Sequence, residues 1–205
     1  CYDQYFYPLS TAKAAEEFGM RIVLQGTYSN YTSEQNLKDY FNDFNSKKDS
    51  LVTYVIGLHA EYTSQDKDYE VTSRVLKETK SPFATHTSET KLEVEECKQR
   101  HNGLTPVQFF DSLGFYDNGG VAFHCIYLDE KDIQIFKKNN VSIVTCPGSN
   151  SKLASGTCPV SKYLSSGLNV CIGTDGPASN NALDMFREMY LVSTLSKAIN
   201  KAIIA

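Results

Sequence analysis

Residues 51–58 read LVTYVIGL, an apolar run of strand length followed at once by His59. Its Val, Ile and Leu do not alternate strictly with polar residues. That is the pattern of a strand buried on both faces, as in a parallel sheet covered by helices. The same pattern recurs on either side. Strands are expected at 1–7 (CYDQYFY), 20–26 (MRIVLQG), 82–87, 119–125 (GGVAFHC), 141–145 (VSIVT) and 168–173 (LNVCIG). Between them lie segments that read as helices. One spans 8–18, with an early Pro8 and a Gly19 stop. Others span 33–47, with Ser33 as N-cap, then 65–79, 90–100, 105–113, 129–138, 159–166 and 182–201.

Seven strands alternating with helices predict an α/β fold with a parallel sheet and its helices outside. No G-x-G-x-x-G follows the first strand, which counts against a dinucleotide-binding fold. A (β/α)8 TIM barrel lacking one unit fits the count, and barrel enzymes place their chemistry at the C-terminal ends of the strands. Ionisable residues collect there. His59 follows 51–58, His86 ends PFATH, His124 ends GGVAFH and Asp175 follows LNVCIGT, so three of the four histidines lie at strand ends.

The length of 205 residues, with 41% hydrophobic and 21% charged residues, suits one soluble domain. The net charge of −4 is spread without a basic patch, and no apolar run approaches membrane length. Neither nucleic acid nor a membrane is therefore an expected partner. The six cysteines form no C-x-x-C pair and read as free thiols of a reducing cytoplasm. The chain opens on Cys1 with a strand-like segment at once and shows no signal peptide, which raises the expectation of a fragment.

Each motif has a functional and a plain reading. His86 could offer a ring nitrogen to a divalent metal. Glu89, three residues on, could carry protons over the same pocket or simply cap a helix. Asp175 in Thr174-Asp175-Gly176 could be a hard ligand and general base, or part of an Asp-Gly turn. His124 could hold a water or a substrate group, or be a satisfied core histidine. Cys125 reads as packing. His59 could line the pocket or merely end its strand. Pro147-Gly148-Ser149-Asn150, Lys152-Leu153, Gly156 and Pro159 read as a long loop, a candidate binding loop on a barrel's top face. Arg21 reads as structural, and His101, in a helix break, takes no role.

In four stretches the chain resembles the amidohydrolase superfamily, above all its 5-methylthioadenosine/S-adenosylhomocysteine deaminase and chlorohydrolase-like branch. They are HTSET (86–90), FHCIYLDEKDI (123–133), CPGSNSKLASGTCPV (146–160) and IGTDGPASNNALDMFREM (172–189). The resemblance runs from YFYP near the start to the final helix, and the last two stretches carry most of its specificity.

The resemblance implies one divalent metal, zinc or in some members iron, with His86 and Asp175 among its ligands. It implies that Glu89 shuttles protons to a substrate ring nitrogen and that His124 holds the attacking water or the substrate. Asp175 would take the water's proton, and His59 would contact substrate. The implied reaction is hydrolytic deamination of an aminopurine nucleoside by a metal-held hydroxide, with release of ammonia. Guanine, cytosine or a chlorinated triazine are alternative substrates, and a non-catalytic degenerate barrel serving as a binding protein is the alternative outside enzymes.

One departure stands out. The family's His-x-His pair is absent from the 205 residues, and so is its small β domain. The chain is therefore expected to cover about strands 2 to 8 of the barrel over 1–205. Two of its ligands fall short of the three that a catalytic zinc usually takes, so alone it should bind metal weakly and be inactive. Two open sheet edges should need a partner or a second copy to cover them, and a homo-oligomer is the expected state.

Overall fold

The computed structural model describes residues 1–5 and 7–200. Seven parallel strands form one sheet in the order of the sequence. They are β1 (Tyr2–Asp3), β2 (Ile22–Thr27), β3 (Val52–Gly57), β4 (Phe83–Thr87), β5 (Gly120–His124), β6 (Val141–Thr145) and β7 (Val170–Ile172). The helices are α1 (Pro8–Phe18), α2 (Glu34–Ser46), α3 (Asp66–Thr79), α4 (Lys91–Arg100), α5 (Pro106–Ser112), α6 (Glu130–Lys138), α7 (Pro147–Lys152), α8 (Val160–Ser165) and α9 (Met185–Asn200). A 3₁₀ turn at Glu61–Thr63 follows β3. No helix among the described residues is long and apolar enough to cross a membrane.

Because every strand pairs with its sequence neighbour, every crossover runs the same way, and right-handed crossovers then put all helices on one face of the sheet. The other face curls inward. β1 and β5 are four places apart, about 19 Å in a flat sheet at about 4.8 Å per strand. Yet the rings of Tyr2 and Phe123 meet edge to face with centroids 5.5 Å apart. The fold is thus an incomplete TIM barrel, as expected from the strand count. Among the described residues β1 pairs only with β2, and β7 only with β6. The helix beside each edge leaves apolar rings in solvent: Phe18 at the end of α1 is 85% exposed and Phe186 in α9 84%.

The core lies between sheet and helices. Phe83 of β4 packs edge-on against Phe110, Phe115 and Tyr116, with centroids 4.8–5.6 Å away. Local signals place the helices. Pro8 opens α1 and Gly19 closes it at φ 69°. Ser33 Oγ accepts from Asn36 N at 3.1 Å to cap α2.

Three expectations change. The first strand covers only Tyr2–Asp3 of the expected 1–7, a range in which residue 6 lies outside the described residues. The last helix runs over Met185–Asn200 of the expected 182–201, whose final position is also outside them. The expected loop after Cys146 begins with a helix, α7, because Pro147 occupies its first turn, where a missing N–H costs nothing.

His101, given no role from sequence, belongs to a buried ion cluster. Glu61 is 1% exposed. Its two carboxylate oxygens accept from Arg100 Nε at 3.0 Å and Nη2 at 2.6 Å, and from His101 Nε2 at 2.8 Å. The His101 ring stacks on Phe109 at 3.6 Å. Burial alone would raise the Glu61 carboxyl, but Arg100 and His101 outweigh it and hold the group below its ordinary value. A carboxyl lowered by folding stabilises the fold above its unfolded pKa, about 4.3. That contribution disappears as pH falls through the folded value. Glu61→Gln should therefore cost about 1.5–3 kcal/mol at neutral pH and flatten the loss of stability on acidification. Urea melts between roughly pH 3 and 7 measure both, and an unchanged midpoint and acid limb would show that the cluster contributes nothing.

Candidate active site

The residues expected at strand ends come together where β3, β4, β5 and β7 finish. The His59 and His86 ring centroids are 4.8 Å apart, and those of His86 and His124 are 5.3 Å apart and nearly parallel. Glu89 Oε2 stands 3.8 Å from His124 Nε2. Asp175 lies within electrostatic reach of both His59 and His86.

The backbone bends sharply to achieve this. By strand alternation His124 would share the helix side with Ala122. Positive φ at His124 (67°) and Cys125 (49°) turns the chain, and the ring stacks beside His86 instead. Ser88 (51°) and Asp175 (61°) are left-handed too. Such non-glycine residues cost about 1–3 kcal/mol each and gather at functional sites. Cys125 itself is fully buried, and burial pushes its thiol far up, as suits packing.

Each side chain has its orientation set by a partner. His86 Nδ1 lies 2.7 Å from the His59 carbonyl, so Nδ1 donates and Nε2 keeps a free lone pair. Burial, then the neighbouring His124 and His59, lower His86 to about 4, which leaves it neutral at pH 7. Partial desolvation by its neighbours also lowers His59, whose Nδ1 is 2.9 Å from the Thr63 hydroxyl.

His124, 2% exposed, places Nδ1 2.8 Å from Asn150 Oδ1. Glu89 Oε1 accepts from Ser155 Oγ at 3.0 Å. Tyr127 Oη in turn donates to the Ser155 carbonyl at 2.8 Å. Glu89 caps no helix. That task belongs to Glu93, whose carboxylate accepts from the backbone N–H of Ser88 and Glu89 at 2.8 and 2.7 Å and closes a capping box with Thr90. Glu93 thereby fixes the turn that aims Glu89.

Asp175 Oδ2 accepts from Ser149 Oγ at 2.6 Å and Ser179 Oγ at 2.7 Å, and Oδ1 from Gly176 N at 2.6 Å. Partial desolvation in the site alone would raise this carboxyl. The two hydroxyls, the Gly176 N–H and the neighbouring His124 ring outweigh it and hold Asp175 below the ordinary carboxylate value. The plain Asp-Gly turn thus carries a carboxylate kept ionised.

These donors suit a divalent cation. A neutral imidazole with its far nitrogen tied to a carbonyl and an ionised carboxylate tied to hydroxyls are the oriented ligands such ions take. Two ligands remain fewer than a catalytic zinc usually has. Elsewhere, among the described residues, Glu61, Cys97 and His101 bring ligand atoms within 4.8 Å of one another. That group does not suit a cation. Arg100 already occupies the Glu61 carboxylate, and burial raises the Cys97 thiol far above its ordinary value.

Sequence reasoning singled out His59, His86, Glu89, His124 and Asp175, and the structure brings all five to one place. It missed Ser149, Asn150, Ser155, Ser179 and Glu93, which orient them. Ser149 and Asn150 did fall within the stretch read as a binding loop. Here they are α7 residues whose side chains face the site residues.

Comparison with known proteins agrees with this architecture. The amidohydrolase family profile matches residues 2–202. A 5-methylthioadenosine/S-adenosylhomocysteine deaminase of Thermoanaerobacter pseudethanolicus is 41% identical over 205 residues, which cover 97% of this chain and 47% of that protein. A 5'-deoxyadenosine deaminase of Methanocaldococcus jannaschii is 35% identical over 206 residues, covering 97% and 49%. The crystal structure of an adenosine deaminase from Xanthomonas campestris with bound zinc superposes with a TM-score of 0.85 at 30% identity, covering 96% of this chain and 46% of that one. The chain spans about half the length of the curated relatives it matches. From its strand-end site to its family profile, this chain belongs to the amidohydrolase family.

Proposed function

We propose that the protein carrying this chain is a hydrolytic deaminase of aminopurine nucleosides, with 5-methylthioadenosine or S-adenosylhomocysteine as representative substrates. One observation carries the reading. A carboxylate held ionised by three donors, Asp175, shares the site with a second carboxylate, Glu89, poised between Ser155 and His124. Deamination of a cyclic amidine needs such a pair, one group to take a proton from water and one to give a proton to the ring. The names of the relatives support the substrate class.

His86 Nε2 and the Asp175 carboxylate would hold a divalent ion, zinc by analogy with the Xanthomonas campestris structure. When bound, the ion lowers the pKa of water toward about 7 and makes it nucleophilic at neutral pH. The chain's own groups do the rest. Asp175 accepts a proton from the attacking water as its oxygen bonds to the ring carbon bearing the amino group. Glu89 gives a proton to the adjacent ring nitrogen. His124, with Nδ1–H committed to Asn150, offers Nε2 to the attacking oxygen. The carbon–nitrogen bond then breaks: Asp175 passes its proton to the leaving amine, the former water oxygen becomes the ring carbonyl and yields its remaining proton to Glu89, and ammonia departs.

His59 would contact substrate at the open side of the site. In this reading the seven strands are the second to eighth of the barrel. The six cysteines, all unpaired, suit work in the cytoplasm. The uncovered helices beside β1 and β7 suit contact with further protein, including a second copy.

Two substitutions in the complete protein separate the roles. Asp175→Ala should strip bound zinc, read by metal analysis, and abolish ammonia release from 5-methylthioadenosine. Glu89→Gln should keep zinc and lower kcat by about 10²–10⁴-fold. A protein that retains both zinc and turnover after Asp175→Ala would sink the proposal. Loss of zinc in Glu89→Gln would deny Glu89 the separate role of proton carrier.

A further inference from the structure

One buried carboxylate has no part in the chemistry above. Glu188 of α9 is fully buried, whereas Phe186, Met189 and Tyr190 on the same helix stand in solvent. Apolar burial would have chosen the reverse. What keeps the carboxylate inside is hydrogen bonding. Oε2 accepts from Gly148 N at 2.8 Å, and Oε1 from Asn180 Nδ2 at 2.8 Å. Among the described residues no lysine, arginine or histidine is in ion-pair contact with it. Gly148 is suited to this approach, because a Cβ there would collide with Glu188 Oε1 and come within 2.9 Å of Asn180 Nδ2.

The two groups that Glu188 grips both neighbour the donors to Asp175. Gly148 precedes Ser149, whose hydroxyl donates to Asp175 Oδ2. Asn180 follows Ser179, whose hydroxyl donates to the same oxygen, and Asn180 Nδ2 also donates to the Thr174 carbonyl at 2.9 Å. The segments after β6 and after β7 are thus joined through one carboxylate.

We propose that Glu188 is a positioning residue for Asp175: by clamping Gly148 and Asn180 it sets the Ser149 and Ser179 hydroxyls on Oδ2 and aims the carboxylate at its cation. This rests on the reading of Asp175 as a metal ligand. Both partners of Glu188 are donors, so a glutamine of the same shape can accept from only one of them.

The test is zinc affinity of the complete protein, by competition with a chelating dye, for Glu188→Gln, Asp175→Ala and the double variant. Glu188→Gln should weaken zinc binding about 10–100-fold, the usual effect of losing a ligand's supporting partner. In the Asp175→Ala background the same change should alter affinity less than about twofold, because its route is gone. Gly148→Ala, which keeps the Glu188 side chain but displaces its carboxylate, should weaken zinc in the same direction and serves if Glu188→Gln does not fold. Unchanged affinity in Glu188→Gln, or an equal loss in both backgrounds, would overturn the inference and leave the role of Asp175 intact. Unchanged affinity in Asp175→Ala alone would overturn that role, and this inference with it.

Discussion

Gly148, Ser149 and Asn150 are consecutive, and each makes one hydrogen bond to a different part of the site. Gly148 N–H meets Glu188, Ser149 Oγ meets Asp175, and Asn150 Oδ1 meets the ring of His124. One short helix, α7, therefore sets the positions of groups delivered by β5, the segment after β7, and α9. Lys152, at its end, reaches across to the Ala178 carbonyl at 3.0 Å and Asn181 Oδ1 at 2.8 Å. Just beyond, Ser155 holds Glu89. Hydrogen bonds to ionised groups are worth about 1.5–3 kcal/mol each. A few of them offset the backbone strain at Ser88, His124, Cys125 and Asp175, about 1–3 kcal/mol apiece. The strained strand ends and the α7 network meet at His124 and Asp175, which Asn150 and Ser149 hold.

The curl of the sheet makes that network possible. Tyr2 and Phe123 touch across the interior, and the same curvature brings the ends of β3, β4, β5 and β7 within reach of one another. Burial keeps His86 neutral, which leaves its outer nitrogen available as a donor to a cation. Three hydrogen bonds keep Asp175 charged against the partial desolvation of its place in the site. The two groups are tuned in the directions that cation binding requires, and each by a cause that can be named.

Much of this was legible in the sequence, for a physical reason. Parallel strands buried on both faces appear as continuous apolar runs, so their ends are marked, and a barrel directs chemistry to one set of ends. His59, His86, His124 and Asp175 could be found by that rule. The helix α7 could not, because Gly148, Ser149 and Asn150 are poor helix formers and their role depends on partners 26 to 40 positions away. Glu188 looks like one more acidic residue on an exposed helix until the fold closes over it. Glu93 as the cap of α4 was legible in Thr90-Lys91-Leu92-Glu93, which has the spacing of a capping box, but its hold on the backbone of Ser88 and Glu89 was not.

The most direct test of the account is where a metal ion sits. Anomalous diffraction at the zinc edge, from crystals of the complete protein, locates it without reference to activity. The account predicts a peak about 2.0–2.2 Å from His86 Nε2 and from an Asp175 oxygen. A zinc peak at Glu61, Cys97 and His101, or one that leaves His86 and Asp175 without a bound ion, would contradict it.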